Sequence, residues 1–484
     1  PDNNSITVDF GENNGNITVI ETSIQGCVGT PVNLMVTLDG CAMQADFEAS
    51  ATNICEGGSI SFTDLSTGGA LIDSRTWSFG AGASPSGANT QGPHTVTYAN
   101  EGTYTVSLTV TDGIASDTHS IEITVSRRGR WLGTVDSDWL NAANWSCGIL
   151  PTSSTDVIIP GGVTNNPIIS VSDASCRNIT IENGGQLTIS NSTLNVHGNW
   201  VNNGTFNTGG TINFHSNTAS ITGTAVTTFH NLRIVNTAVL TAPSSNMNIQ
   251  GNLIVEGIFT HNNGTVSFTG GSIQEISGAA SNLILYNLIV NKSAGTLTLQ
   301  RHVDISSYLT LNQGIVHTSD SGLLRMMAGA NSDEGSDASH IDGPVRKTGS
   351  TAFVFPTGNN GVWAPIGISE PGAGAEVFRA QYFYQGHPEA GEDPCTNCED
   401  SIKVVSDVEY WDLRRLGGSS TPNVTMYFKD MGRSGITIGN LIYAHWTGGE
   451  WTDNTLEGSA TLDGTGGCYI TGTGFSTYNI HAPA

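Results

Sequence analysis

Eight cysteines, Cys27, Cys41, Cys55, Cys147, Cys176, Cys395, Cys398 and Cys468, are the residues whose chemistry is easiest to bound. Their even number, spread over strand-rich segments, favours disulfides. Cys395 and Cys398 form a C-x-x-C, and with no second pair or nearby His to complete a zinc site they are expected to close a small loop. Cys147 and Cys176 flank the start of a repeated region and are expected to staple its open end. Of Cys27, Cys41 and Cys55, any local pair leaves one over. Its partner would be Cys468, at the far end of the chain, which hints at a bond between molecules.

Carboxylates come next. Asp333-Glu-Gly-Ser-Asp337 with Asp342, and the run from Glu389 to Asp400, offer the oxygen ligands calcium takes. Neither follows the EF-hand order or the nonapeptide calcium repeat, so Asp333, Asp337 and Asp342 are calcium candidates with a solvated turn as the alternative. Glycoside hydrolysis needs two carboxylates at a fixed separation. Glu182, Arg233, Glu256, Glu275, Arg301 and Asp304 do not recur as such a pair and read as solvated decoration. His197, His215, His230, His261 and His302 lack a visible triad partner. No G-x-S-x-G, H-E-x-x-H or phosphate loop is present. Trp363, Tyr382, Tyr384, Trp411, Trp446 and Trp451 suit either a sugar-stacking platform or a sandwich core, and their alternation with polar residues favours core. The expectation is a non-catalytic protein with no cofactor beyond a calcium ion.

The elements that would position these residues are legible from composition. Lys plus Arg total 17 against 42 Asp plus Glu, a formal charge of −25, which repels nucleic acid. No apolar run approaches 18 residues, so no membrane-spanning helix is expected. Sixty glycines accompany abundant Thr, Ser, Asn and Val while strong helix formers are scarce, which predicts an all-β chain.

A repeat organises the centre. Asn178-Ile-Thr-Ile, Asn231-Leu-Arg-Ile and Asn287-Leu-Ile-Val recur at spacings of 53 and 56 residues. Leu194-Asn-Val-His-Gly-Asn-Trp, Met247-Asn-Ile-Gln-Gly-Asn-Leu and Val303-Asp-Ile-Ser-Ser-Tyr-Leu recur at the same two spacings. A period of about 54 divides into three coils of about 18, one turn of a β-solenoid each, so residues 127–330 are expected to form a parallel β-helix. A row of small β-sandwiches is the alternative. Residues 45–126, with alternating runs such as Thr103-Tyr-Thr-Val-Ser-Leu-Thr-Val, read as one β-sandwich, and 331–484 as another.

Trp77-Ser-Phe-Gly-Ala-Gly and Tyr98-Ala-Asn-Glu-Gly-Thr-Tyr-Thr-Val-Ser-Leu-Thr-Val-Thr-Asp112 resemble a PKD domain, an immunoglobulin-like module of surface proteins. The chain departs from that family where an Asp usually sits beside the Phe-Gly turn. Trp131-Leu-Gly through Asn144-Trp-Ser resembles the segment leading into β-helical repeats in large secreted proteins of Bacteroidota. Asp342-Gly-Pro-Val, Phe353-Val-Phe-Pro-Thr-Gly and Val408-Glu-Tyr-Trp-Asp-Leu resemble the β-sandwich those proteins carry before a type IX secretion sorting domain. The resemblance implies a secreted, cell-surface protein, and with neither initiator Met nor signal peptide the chain is expected to be processed or a fragment.

Residues 1–44 resemble the last three strands of another immunoglobulin-like module, with Ile6, Val8, Phe10, Ile17, Val19, Leu34 and Val36 as its apolar positions. A sandwich needs about seven strands. Either an upstream domain of a larger precursor completes it, or a neighbouring copy donates a strand. The second case makes a head-to-tail homopolymer, an extracellular filament. An adhesin that binds glycans is the alternative, and a polysaccharide lyase or hydrolase a more distant one.

Overall fold

A computed structural model describes residues 7–8, 15–36, 43–68, 72–279, 283–372, 375–390, 395–435, 437–464 and 467–484. The protein is all-β, with 3% helix, a PKD domain and a β-solenoid of about nine turns. It divides into two compact units, Pro1–Arg128 and Gly129–Ala484.

In the first unit a four-stranded sheet and a five-stranded sheet form a sandwich. Its logic is period two: along Gly102–Thr111 the side chains of Tyr104, Val106, Leu108 and Val110 are buried while the intervening Thr and Ser face out. Their core partners include Phe47, Phe62, Trp77 and Phe79. Trp77 meets Phe47 edge-on at 5.1 Å and satisfies its indole N–H on the Thr90 carbonyl at 3.0 Å. Upstream, Gly15–Val19 and Val32–Val36 form an antiparallel hairpin. Ile6 and Phe10 lie outside the described residues, and Val8 belongs to no strand, so the expected third strand has no counterpart among the described residues.

The second unit begins with the solenoid. Most of its strands before Leu283 are three or four residues long and bury alternate side chains, as in Ile179–Ile181, Leu194 with Val196, and Leu253–Val255, and two longer strands, Leu283–Leu299 and Val303–His317, follow. Parallel pairing stacks like on like. One column runs Val157, Ile179, Trp200, Ile221, and another Leu194, Ile212, Leu232, Leu253, Ile276. Stacked partners are 18 to 25 residues apart, as Leu194↔Ile212 and Val316↔Ile341 show, so the coil is mostly longer than the expected 18.

The repeat explains the difference. Ile179–Ile181 and Asn231–Ile234 lie eight strands apart and in different sheets. With three strands per coil, eight strands are two and two-thirds turns, so each repeat shifts its motif to another face. Motif residues keep their local job. Asn178 Oδ1 accepts the Asn199 amide at 2.7 Å in the next coil, and Asn231 Oδ1 accepts that of Asn252 at 2.8 Å. The glycine before each is required by close approach: a Cβ on Gly198 would sit 2.2 Å from Asn178 Oδ1, and one on Gly251 2.4 Å from Asn231 Oδ1.

Two lysines, Lys292 and Lys347, are buried along this stack, the second donating to the carbonyls of Met327 and Ala330. Lys292 is buried and donates to the carbonyls of Gly270 (3.2 Å) and Ser272 (2.8 Å) and to Gln274 Oε1 (2.6 Å). Burial pushes its ammonium down to about 8.

Both solenoid ends are closed. At the first coil Trp131 N–H bonds Ile158 O and Trp139 N–H bonds Ile168 O. The rings of Trp131, Trp139 and Trp145, all buried, pack edge-on at 4.9 and 4.6 Å. Trp145 Nε1 donates to Trp139 O and Trp131 Nε1 to Asn165 O, each at 2.7 Å. At the other end the parallel ladder passes without a linker into an antiparallel one: Val345–Thr348 pairs parallel with Leu324–Met326 and antiparallel with Val377–Phe383. The sheet continues through Tyr410–Gly417 and Ile480–Pro483 to Tyr443–Trp446 and Trp451–Asp453. A five-stranded sheet that includes Ile366–Ile368, Val424–Phe428 and Cys468–Gly472 shares its core. Trp411 reaches across, 5.5 Å from Phe428 and bonded to Ala364 O at 2.9 Å.

Replacing Trp145 by Ala empties the aromatic cap, and a loss of about 3–5 kcal/mol is expected. Thermal unfolding followed by tryptophan fluorescence checks it, and an unchanged transition would show that the cap does not hold the first coil.

Candidate functional site

The hairpin presents an unsatisfied surface. Its register places Ile17 opposite Leu34, Val19 opposite Val32 and Gly15 opposite Val36, so Ile17, Val19, Val32, Leu34 and Val36 share one face. Asn16, Thr18, Asn33 and Met35 share the other, where Thr18 Oγ1 donates to Asn33 Oδ1 at 2.5 Å. The apolar face is open: Val19, Val32 and Leu34 are 56%, 68% and 62% exposed, and none of these residues joins any of the three buried cores. A two-stranded ribbon is marginal in water unless such a face is covered.

The cysteines depart from the expected pairing. Cys395 and Cys398 are bonded to each other. Cys55 and Cys147 are each disulfide-bonded, but Cys176 is a free thiol, so Cys147 and Cys176 do not staple the solenoid. The reason is geometric: Cys176 points inward on strand Ala174–Cys176, fully buried in the apolar stack, and burial raises its thiol strongly. The Trp cap does the stapling instead. Cys468 is also free and buried, opposite Phe428 in the terminal sandwich, and burial pushes it up to about 11. A covalent lock between molecules through Cys468 would require opening that core. Cys27 is free and exposed, and Cys41 lies outside the described residues.

The calcium candidates do not converge. Asp333 accepts the Leu311 amide at 2.9 Å and the Tyr308 hydroxyl at 3.0 Å, Asp337 accepts the Trp363 amide at 2.8 Å, and Asp342 accepts Asn359 Nδ2 at 2.9 Å. Each carboxylate therefore fixes its own turn. Among the described residues no three His, Cys, Asp or Glu side chains gather as metal ligands. Of the run from Glu389 to Asp400, residues 391–394 lie outside the described residues; Glu399 accepts the Asp453 amide at 2.8 Å.

The ionisable side chains of the solenoid tie coils together rather than decorating them. Arg233 grips Glu256 with contacts of 2.9 to 3.3 Å, Arg325 holds Asp304 at 2.6 and 2.7 Å, and Arg301 turns inward to Val255 O at 2.8 Å. His197 and His215 stack at 4.6 Å, His261 stacks on Tyr286, and His302 Nδ1 accepts the Leu323 amide. Of the aromatics, Trp363, Tyr382, Trp411 and Trp451 are core residues, and Tyr384 and Trp446 are half-buried.

Two buried groups carried no signal in sequence. His445 and His481 face each other across neighbouring strands, 5.1 Å apart and stacked, and both are buried. Tyr443 Oη lies 3.0 Å from His481 Nδ1, while both Nε2 atoms lack a partner. Burial pulls His445 down to about 4, and burial together with His445 pulls His481 well below its usual range. Glu409, bonded by Tyr382 Oη at 2.7 Å, is pushed up by burial.

Residues 44–125 match the PKD domain. A domain of unknown function, DUF8693, matches residues 130–226, which hold the Trp cap and the first coils. No curated protein matches the chain. A PKD domain is typical of extracellular proteins, and PKD domain plus β-solenoid fit an extracellular structural or adhesin role. Among the described residues no helix is long and apolar enough to cross a membrane.

The histidine pair sets a pH dependence. Each imidazole binds a proton more weakly folded than unfolded, so its contribution is full above about pH 6.5 and is lost as pH falls toward about 4. The melting temperature of the terminal sandwich is expected to fall more steeply between pH 6.5 and 5 in the native protein than in His445→Phe. Equal slopes in differential scanning calorimetry would contradict this.

Proposed function

We propose that this chain is a non-catalytic extracellular structural protein, a subunit of a head-to-tail surface filament in which a neighbouring copy covers the apolar face of the N-terminal hairpin. The observation that carries this reading is the apolar face on which Val19, Val32 and Leu34 are exposed and Ile17 and Val36 half-buried. Full burial of such side chains is worth about 1.5–3 kcal/mol each, the scale of driving force an assembly contact needs. A hairpin also offers backbone edges to which an incoming strand adds hydrogen bonds, giving register as well as affinity. Contact between unlike surfaces on successive copies grows as a fibre wherever its rotation does not close a ring. With Cys468 buried, the assembly does not rest on a disulfide through that residue.

The rest of the chain supports a mechanical role. Arg233, Glu256, Asp304, Arg325, Asp333 and Asp337 hold turns and coils, and the solenoid core is an apolar stack that Lys292 and Arg301 enter. Export through the type IX route rests on the resemblance of the terminal sandwich.

Sedimentation velocity across a concentration series tests the reading. The native chain is expected to form growing oligomers, and Ile17→Lys with Leu34→Lys to remain a folded monomer. A native chain that stays monomeric at every concentration would overturn self-assembly and leave the upstream domain of a longer precursor as the cover.

A further inference from the structure

In a chain with 17 basic residues among 484, four arginines stand in one row. Pairing registers place Arg325 beside Arg346, Arg346 beside Arg379, and Arg379 beside Arg414, on four successive strands of the continuous sheet. These residues are 21, 33 and 35 positions apart in sequence, so only the fold assembles them. Arg325, Arg346 and Arg379 each lie between two buried neighbours, Val345 and Lys347 in the case of Arg346, and Arg414 is exposed after buried Leu413, so the four share the outer face.

Like charges directly opposite one another in a sheet are destabilising, and here three such contacts follow in line. Carboxylates compensate most of the row. Arg325 holds Asp304, from the preceding strand, at 2.6 and 2.7 Å. Arg379 holds Asp320 at 2.8 Å and lies 3.6 Å from Asp412, which Arg414 holds at 2.8 Å. Arg346, in the interior of the row, has no ion pair among the described residues, and its Nε is buried without a hydrogen-bond partner. The carboxylates thus fix both flanking guanidinium groups in place and leave Arg346 uncommitted between two cations.

We propose that Arg346, flanked by Arg325 and Arg379, is an oxyanion-binding site that takes a carboxylate or sulfate group of an acidic polysaccharide. An unpaired guanidinium presents a planar fork matched to such oxygens, and a bound oxyanion relieves the repulsion along the row. The row spans about 14 Å, three strand spacings of about 4.8 Å, on an outward sheet face with Gln381 and Thr348 beside it. That extended polar face suits a linear charged polymer better than a protein partner, which would need a buried apolar anchor. The proposal rests on neither the hairpin nor self-assembly.

Isothermal titration of the full chain at low salt tests it, with oligogalacturonate, a dextran sulfate oligomer and uncharged dextran as probes. The native protein is expected to bind at least one anionic probe and not dextran, and the probe bound tells carboxylate from sulfate. Arg346→Gln is expected to weaken binding at least tenfold, Arg346→Lys to fall between because it keeps charge without the fork, and Arg177→Gln on the solenoid to change nothing. Because Arg346 is unpaired, its Gln variant keeps or raises the melting temperature, which separates lost binding from lost folding. Absence of binding to both anions, or equal affinity in native protein and Arg346→Gln, would overturn the assignment.

Discussion

Every strand in this protein leaves a row of backbone N–H and C=O groups and an apolar face that another strand must meet, and the architecture is a sequence of answers to that demand. Within the solenoid the next coil answers it. At the first coil three tryptophans and the amides of Trp131 and Trp139 do. At the last coil the sheet turns antiparallel at Val345–Thr348 and becomes one layer of a sandwich. The hairpin at residues 15–36 leaves the demand open, which is why the assembly reading centres on it.

The same demand explains where charge goes. Side chains at coil boundaries bridge to the next rung: Asn178 to Asn199, Arg233 to Glu256, Lys292 to three oxygens of the coil before it. Such ties are local and repeat with the coil, so a chain of formal charge −25 stacks closely without pairing each acid. Arg346 stands out against this pattern because its neighbours are cations and their carboxylates are already engaged.

Much of the fold was legible in sequence because period two survives in very short strands, and because glycine and asparagine recur where coils approach. The PKD domain was legible from Trp77 and the long alternating run to Asp112. Coil length was not: eight-strand repeats of nearly equivalent strands look the same whether they make three turns or two and two-thirds, and only pairing decides. The Cys147–Cys176 staple failed because spacing says nothing of direction, and Cys176 points into the stack. The arginine row and the His445–His481 pair were invisible for a related reason, since cross-strand register joins residues whose separation in sequence has no period. The apolar hairpin residues Ile17, Val19 and Leu34 were legible as a face because their alternation is local.

Electron microscopy of native, undenatured material tests the central claim most directly. The account predicts fibres with an axial repeat of one subunit, in which density from the neighbouring copy lies against Ile17, Val19, Val32, Leu34 and Val36. Monodisperse single particles at every concentration, with that face still bare, would contradict it.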